Sequence, residues 1–458
     1  MTATASRSTS TSTVAADHAE APHTLDQPAP RALGFLDQLG LWGNLGVSLL
    51  GFTGAIYVLE PTAGPALSVV AAVVALLVGT VLGTLAVSLA AVPGADTGQP
   101  AMVLLRGLFG TRSSYLPTVL NVIQLFGWST FELVTISTAL HQITPGVPRW
   151  VYVLAAGIVT TGLALRPLGW IRMLRRYVTI AVVITLAYLF VQLLRNPLPS
   201  LTHGTWQGFW IAVDTVVGVS VSFVPLAADY SRHSRTPRAA FGGSFVGYSV
   251  TQVLCYALGL IALVTVAHGN PDKIFGSFMA VPVGTLAFAV LAIRELDQSF
   301  ADTYSSAVSV QNLRPRWDRR VLALVLGTIA TVFALALNID AYENFLTLIG
   351  SVFVPLSGVL VVDYFVISRR RWQLGEDVRP RWATLTAWVI GFVVYQLINP
   401  GFIAWWATMW GHIGDWVHVH PTSWTSASLL SFVSAAVVTL PLGLLEKRRL
   451  LERTPEGT

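Results

Sequence analysis

The chain has 458 residues, of which 53% are hydrophobic and only 11% are charged, whereas soluble proteins carry about 25% charged residues. The stretches 66–92, 178–194 and 321–337 contain no Asp, Glu, Lys or Arg, and each is long enough to cross a bilayer core as a helix. This composition excludes a soluble enzyme, a nucleic-acid-binding protein and an outer-membrane barrel, whose strands would be short segments of alternating polarity.

The N-terminal segment is rich in Ser, Thr, Ala and Pro and has no apolar core typical of a signal peptide. We interpret residues 1–38 as a disordered cytoplasmic tail. Residues 39–446 form the predicted transmembrane domain, and residues 447–458 a second cytoplasmic tail. The single cysteine, Cys255, excludes an intrachain disulfide and a cysteine metal site.

Apolar runs bounded by Pro, Gly and charged clusters predict twelve membrane-spanning helices. They cover 41–60, 65–92, 115–141, 150–166, 173–195, 208–228, 243–268, 278–311, 320–337, 343–368, 383–405 and 426–445. With both termini in the cytoplasm, 24 of the 28 basic residues lie in inner segments, and the exceptions are Arg149, Arg195, Lys273 and Arg294. This distribution satisfies the positive-inside rule. We therefore expect an all-α, multi-pass protein of the cell membrane, whose basic surplus reflects topology and not nucleic-acid binding.

Helices 1 to 5 and 6 to 10 form two blocks of five, and the odd number inverts the second block relative to the first. Two extra helices follow. Helix 1 carries Gly51-Phe52-Thr53-Gly54, and helix 6 carries Gly218 to Pro225 with Ser220, Ser222 and Phe223. Both segments contain residues that weaken the hydrogen bonding of the helix backbone. Such paired interruptions indicate a transporter site near the midplane of the membrane. Ordinary helix packing is the alternative, since Gly and Pro are common in membrane helices.

Helix 3 carries a polar stripe at membrane depth. Asn121, Gln124, Trp128 and Glu132 are spaced three, four and four residues apart, so they share one face. An indole at mid-depth, beside an amide and a carboxylate, can stack a flat heteroaromatic ring whose edge those groups bind. The alternative is a tryptophan packed in the bundle core.

Helix 8 places Arg294, Glu295, Asp297 and Asp302 after a long apolar run. Arg294 and Asp297 are three residues apart and can pair. Asp297 and Ser299 can supply oxygen ligands to a small cation, or Asp297 can take up a proton because burial favours the neutral carboxyl. The alternative is a solvated cytoplasmic helix end.

Motifs along most of the chain resemble the nucleobase-cation-symport family, the purine/cytosine permeases. They are Ala95-Asp96-Thr97-Gly98-Gln99-Pro100-Ala101-Met102-Val103 with Arg106, Phe109-Gly110, Pro117, Asn121, Gln124 and Gly127-Trp128; Ala228-Asp229-Tyr230-Ser231-Arg232; Glu295-x-Asp297 through Phe300-Ala301 and Tyr304-Ser305; and Tyr342-Glu343-Asn344-Phe345 through Asp363-Tyr364-Phe365.

The resemblance implies a LeuT-type inverted-repeat fold that moves nucleobases or related heterocycles with Na⁺ or H⁺. It implies that the substrate stacks on Trp128, that Glu132 binds its edge, and that Phe223 completes an aromatic sandwich, with Ser220 as the other occupant of that place. The family's sodium site uses helix 1 carbonyls and helix 8 hydroxyls. Here that implies a site near Gly51, Asp297 and Ser299, with Arg294 nearby.

We therefore expect a secondary active transporter, not an enzyme, that imports cytosine or a purine by alternating access. The expected site comprises Trp128, Glu132, Gln124, Phe52, Thr53, Ser220, Ser222 and Phe223. Coupling by H⁺ is favoured over Na⁺, because the Arg294 guanidinium can stand where sodium otherwise would and leave Asp297 to titrate. No cofactor and no obligate protein partner is expected besides the lipid bilayer. Alternatives are a permease for hydroxymethylpyrimidine, hydantoin or allantoin, and a membrane receptor that binds a heterocycle without moving it.

Overall fold

The computed structural model describes residues 20–61, 66–173, 177–270, 273–337 and 342–452. Within these ranges the chain is helical, and apart from two isolated bridges no strand is found there. In chain order the helices are α1 (Phe35–Leu45), α2 (Leu49–Leu59), α3 (Val69–Thr97), α4 (Ala101–Phe109), α5 (Tyr115–Ile143), α6 (Arg149–Ala164), α7 (Pro167–Met173), α8 (Thr179–Leu193), α9 (Phe209–Val221), α10 (Ala227–Ser231), α11 (Pro237–Thr265), α12 (Ile274–Met279), α13 (Gly284–Arg294), α14 (Leu296–Leu313), α15 (Arg319–Ala336), α16 (Tyr342–Val361), α17 (Trp382–Ile398), α18 (Ala404–Trp416) and α19 (Ala427–Glu452).

The helices bear out the predicted all-α, membrane-spanning class. Seven spans in the described residues are long and apolar enough to cross a bilayer, and the bent pairs α1–α2 and α6–α7 raise the number to nine. The other three predicted spans correspond to α8, to α13 with α14, and to α17, which are too short or too polar for that criterion. Each of the twelve predicted segments thus contains a helix, although nine satisfy the criterion.

The helices pack in two groups. The pair α1–α2 lies with α3, α9 and α11 in one group, and α5, α6, α14 and α15 form the other. The helices α16, α17 and α19 pack together beside them. Every helix of the first group therefore comes from the first two spans of one of the two predicted halves.

Glycine allows close approach within the first group. A Cβ atom at Gly83 of α3 would lie 2.5 Å from the Cβ of Ser220 on α9, and one at Gly247 of α11 would lie 2.6 Å from the Leu39 carbonyl oxygen of α1. Helices packed this closely through small residues gain van der Waals contact without side chains between them. The two interrupted spans are therefore held against α3 and α11.

Parts of the predicted tails are structured. Residues 1–19 and 453–458 lie outside the described residues, but Leu33 exchanges backbone hydrogen bonds of 2.9 and 2.8 Å with His233 and Arg235. The helix α1 begins at Phe35, and α19 continues to Glu452. Part of the segment predicted to be disordered, residues 1–38, is therefore structured, because backbone pairing does not require an apolar sequence. The predicted start of the C-terminal cytoplasmic tail at residue 447 stays a prediction.

Several short helices lie mainly in connections where none was predicted. Among them are α4, between the second and third spans, and α18, which follows α17. Each has 13 residues or fewer, below the length needed to cross a bilayer, so a search for spanning segments does not detect it.

Candidate functional site

A cavity lies between the two interrupted spans, where the first helix group meets the second. The empty space between its lining residues, including the part that is open to solvent, is about 510 Å³. Its lining comes from the α1–α2 break, α5, the end of α9, α11 and α14. The lining residues are Leu45, Gly46, Ser48, Leu50, Gly51, Trp128, Glu132, Val219, Ser222, Phe223, Leu226, Tyr248, Gln252, Tyr256, Gln298 and Asp302.

The first span is broken at residues 46–48, where α1 and α2 meet at 61°. We predicted the break at Gly51 to Gly54, and this position is wrong, because those residues lie inside α2. Their small size has another use. A Cβ atom at Gly54 would lie 3.3 Å from the Tyr256 hydroxyl oxygen, so these glycines admit α11 against α2.

Side chains from α14 and from the residue before it bind the backbone groups of the first break. The Gln298 amide nitrogen donates to the carbonyl oxygens of Leu45 at 2.6 Å and Val47 at 3.1 Å. The Glu295 carboxylate, between α13 and α14, accepts from the Ser48 hydroxyl at 2.8 Å and the Leu49 amide at 3.0 Å. The unpaired amide and carbonyl groups at a buried helix end need such hydrogen-bond partners. One distant segment therefore provides hydrogen bonds to the unpaired backbone groups at the end of α1 and at the start of α2.

Arg294 completes this arrangement. Its guanidinium donates to the Asn44 carbonyl oxygen and to the Glu295 carboxylate at 3.0 Å, and it lies 4.0 Å from Asp297. Asp297 also accepts from the Trp170 indole at 3.1 Å. The predicted Arg294–Asp297 pairing is present, but Glu295 is the closer partner. The helix is buried here, and Arg294, Glu295 and Asp297 are each at most 3% exposed, so the solvated-end alternative is wrong.

The second span is interrupted where it was predicted. The helix α9 ends at Val221, a 3₁₀ turn covers Val224–Leu226, and α10 follows. Pro225 has no amide hydrogen to continue the ladder. Side chains of α5 cover the freed carbonyls: Gln124 donates to Ser222 at 3.0 Å, and Asn121 donates to Pro225 at 3.3 Å.

The predicted stripe on α5 therefore divides into two parts. Asn121 and Gln124 bind the second break, whereas Trp128 and Glu132 line the cavity. The Trp128 ring is 8% exposed and meets the Phe345 ring edge-on at 5.3 Å. One face of α5 thus carries both the residues that bind the broken backbone and the residues that are available to a ligand.

Phe223 and Ser220 occupy different environments. Phe223 lines the cavity and packs edge-on against Trp42 at 6.1 Å and Tyr248 at 5.2 Å. Ser220 lies within α9 and donates to the Gln252 amide oxygen at 2.8 Å. Of these two candidates for the ring opposite Trp128, Phe223 is the one that reaches the cavity.

Several predicted site residues lie away from the cavity. Phe52 is fully buried against Phe278 at 5.0 Å, and the Thr53 hydroxyl donates back to Leu50 at 3.2 Å within its own helix. Ser299 lies 3.4 Å from the Ser129 hydroxyl. Of the predicted sodium ligands, Gly51 lines the cavity, while Asp297 and Ser299 bond to other helices.

Most of the residues that line the cavity were not among the predicted site residues, and five of those missed are polar side chains of α11 and α14. Tyr248, Gln252 and Tyr256 follow one another at intervals of four on α11, and Gln298 and Asp302 are also four apart on α14. Each set shares one helix face. Polar side chains repeated at this interval inside an apolar helix are the signal by which they could have been found.

Glu132 is 3% exposed, and its Oε2 atom has no hydrogen-bond partner among the described residues. The same holds for the Tyr256 hydroxyl. Asp302 faces the same cavity and is 5% exposed. Buried polar atoms normally find partners. The site therefore offers unmet hydrogen-bonding capacity to a bound molecule beside the face of an indole.

The broken first and sixth spans around a central cavity define a membrane protein of the LeuT-type fold. Solved structures with this arrangement include Mhp1, a nucleobase-cation-symport-1 family transporter in a closed conformation with bromovinylhydantoin bound. It matches with a TM-score of 0.74 and 17% identity over 96% of this chain and 97% of that one. A Na⁺-coupled sialic acid symporter matches with a TM-score of 0.60 and 11% identity over 92% of this chain and 93% of that one.

The family model for permeases of cytosine/purines, uracil, thiamine and allantoin matches residues 55–395. The chain belongs to this family, the nucleobase-cation-symport family, and is a transporter and not an enzyme. A hydantoin permease of Microbacterium maritypicum is 22% identical over 64% of this chain and 68% of its own length. The cytosine permease of Escherichia coli K12 is 23% identical over 68% of this chain and 74% of its own length.

Proposed function

We propose that this transporter imports a nucleobase, cytosine or a purine, by alternating access around the cavity at Trp128. The observation that carries the proposal is the juxtaposition of an indole, a buried carboxyl and two helix breaks around one cavity. An aromatic face can stack a planar heterocycle, and a few polar groups at its edge give orientation. The match to a permease family supports the same chemistry.

The test is uptake of labelled cytosine, adenine and hypoxanthine into cells that lack their own permeases. We expect concentrative uptake of at least one of the three, with competition by its close analogues. If none of them accumulates and none competes, the nucleobase proposal is wrong.

A related heterocycle is the second candidate, because the hydantoin permease is among the curated relatives. Hydantoin, allantoin and hydroxymethylpyrimidine belong in the same uptake panel as competitors. Preferential accumulation of one of these compounds would identify it as the substrate in place of a nucleobase, and the proposed binding site would stay the same.

We further propose that coupling uses protons and does not require sodium. A sodium ion at the first break would need the free carbonyl oxygens of its unwound backbone. Those of Asn44, Leu45 and Val47 already accept from Arg294 and Gln298. The guanidinium and the amide thus donate to the carbonyl oxygens that a sodium ion would otherwise coordinate, and the guanidinium also supplies a positive charge.

Sodium replacement at fixed pH, compared with a protonophore at fixed sodium, separates the two forms of coupling. We expect uptake to persist without sodium and to collapse with the protonophore. A steep sodium requirement would contradict proton coupling.

The distribution of arginine supports an orientation with both termini in the cytoplasm. Protease protection of terminal tags in intact cells tests it. Tags at both ends are expected to be protected, and cleavage of either tag from outside would contradict the orientation.

A further inference from the structure

The cavity has an imbalance of charge. Glu132 has the carboxyl groups of Glu295 and Asp302 and the guanidinium of Arg294 as charged neighbours. These four residues and Asp297 are at most 5% exposed. Arg294 contacts Glu295 and Asp297 directly. Unpaired buried charge is costly, so Glu132 and Asp302 each need a counter-charge or a proton.

Glu132 is surrounded by acidic and neutral groups. Its charged neighbours on α13 and α14 are Glu295, Asp302 and Arg294. On α11 the titratable neighbours are Tyr248, whose surroundings include Glu132, and Tyr256, which lines the same cavity. A buried carboxyl beside other carboxyls is more stable when it holds a proton.

The hydrogen-bonding groups of the proposed substrate also point to the Glu132 carboxyl. The edge of a neutral nucleobase presents donors and acceptors side by side, such as the amino donor and ring-nitrogen acceptor of adenine. An ionised carboxylate only accepts, whereas a protonated one both donates and accepts. For an edge of the adenine or cytosine type, with a donor beside an acceptor, Glu132 is therefore complementary only while it carries a proton. A glutamine has the same pair of functions permanently.

We propose that Glu132 carries the coupling proton within the substrate site, so that proton and heterocycle bind as one unit. The inference rests on the proposed function. The proton enters from solvent onto the Glu132 carboxyl when the cavity opens outward, and it returns to solvent on the other side after the substrate leaves. This assigns the proton to a different residue from Asp297, which bonds to Trp170.

The first test measures binding of labelled cytosine or adenine, whichever is taken up, to the purified full-length protein as pH is varied. In the wild type, affinity is expected to fall by about tenfold per pH unit on the alkaline side of the transition. In Glu132→Gln, affinity is expected to stay near the acidic wild-type value at every pH. In proteoliposomes this variant is expected to exchange substrate but not to concentrate it under a pH gradient.

Asp214→Asn is the matched control. Asp214 is also a buried acid, 6% exposed, but it accepts from Ser426 at 2.6 Å and Ala427 at 2.7 Å outside the central cavity. Its variant is expected to keep the wild-type pH dependence. Asp297→Asn and Asp302→Asn test the competing carriers, and loss of pH dependence in either of them, but not in Glu132→Gln, overturns the assignment.

Proton uptake on substrate binding gives a measurement that does not depend on any variant. In weakly buffered solution the wild type is expected to take up about one proton per bound heterocycle at alkaline pH. No proton uptake, or concentrative uptake by Glu132→Gln, overturns the inference while leaving heterocycle transport intact. Failure of the wild type to accumulate any heterocycle would instead refute the proposed function.

Discussion

The two helix breaks occupy corresponding places in the two halves, but different parts of the chain hold them. The first break turns by 61° and is satisfied by Arg294, Glu295 and Gln298 from a distant helix. The second follows from a proline in its own sequence, and neutral amides of α5 cover its carbonyls. Charge is thus concentrated at the first break, where a change of protonation can alter the hydrogen bonding of the unwound backbone.

Removing the charge from the first break should have the largest effect. Arg294→Ala leaves the Glu295 and Asp297 carboxyls without their cation. Breaking a buried ion pair on one side costs about 3–5 kcal/mol of unfolding free energy, so the thermal unfolding midpoint of the purified protein should fall strongly.

Arg370→Ala is the control for that experiment. Arg370 pairs with Asp96 at 2.5 Å, but its side chain is 48% exposed, and exposed pairs contribute about 0–1 kcal/mol. Equal destabilisation by the two variants would show that the buried cluster has no special importance.

The amides at the two breaks allow a direct comparison. Gln298→Leu removes the donor to two carbonyls, whereas Gln124→Leu removes the donor to one carbonyl, that of Ser222, and to the Asn121 amide oxygen. Each buried acceptor left unsatisfied costs about 1–3 kcal/mol. Both variants leave two acceptors unsatisfied, but Gln124→Leu also removes the Gln124 Oε1 atom, which is buried and has no hydrogen-bond partner among the described residues. Thermal unfolding should therefore show the larger loss for Gln298→Leu, and the reverse order would contradict the account of the first break.

A smaller effect is expected just beyond the second break. His233 lies in the connection after α10, where its ring contacts the Pro30 carbonyl and accepts from the Arg232 guanidinium at 3.2 Å. Burial first, and then Arg232, hold the pKa of His233 well below its usual value. The folded protein keeps this ring neutral while the unfolded chain takes up a proton. His233 therefore costs stability as pH falls below about 6.5, the unfolded pKa.

Thermal unfolding of His233→Gln and wild type, compared at neutral and mildly acidic pH, measures this effect. The loss on acidification should be smaller in the variant, by up to about 1.4 kcal/mol per pH unit below the unfolded pKa. An unchanged acid loss would show that His233 is not the group responsible.

The sequence predicted the features that depend on local chemistry. Pro225 and its serine neighbours located the second break, and the helical spacing of Trp128 and Glu132 placed both on the cavity. Hydrophobic runs located the spans because crossing a bilayer requires a minimum apolar length.

The sequence did not predict the features that arise from contacts between distant segments. At the first break Glu295 and Gln298 cap the ends at residues 46–48. The local signals there are Gly46, which ends α1, and Ser48, which caps α2 by accepting from the Leu50 amide, and both were overlooked beside the glycines of α2. Gly51 and Gly54 were misleading, since their role is to admit Tyr256.

The claim on which the account depends is that Trp128 binds a planar heterocycle, and equilibrium binding to purified Trp128 variants tests it most directly. Stacking of a base on an aromatic ring contributes about 1–3 kcal/mol, so Trp128→Ala should weaken binding by about 5- to 150-fold. Trp128→Phe, which keeps a ring, should retain most of the affinity. Unchanged affinity in Trp128→Ala, in protein that unfolds at the wild-type temperature, would contradict the account.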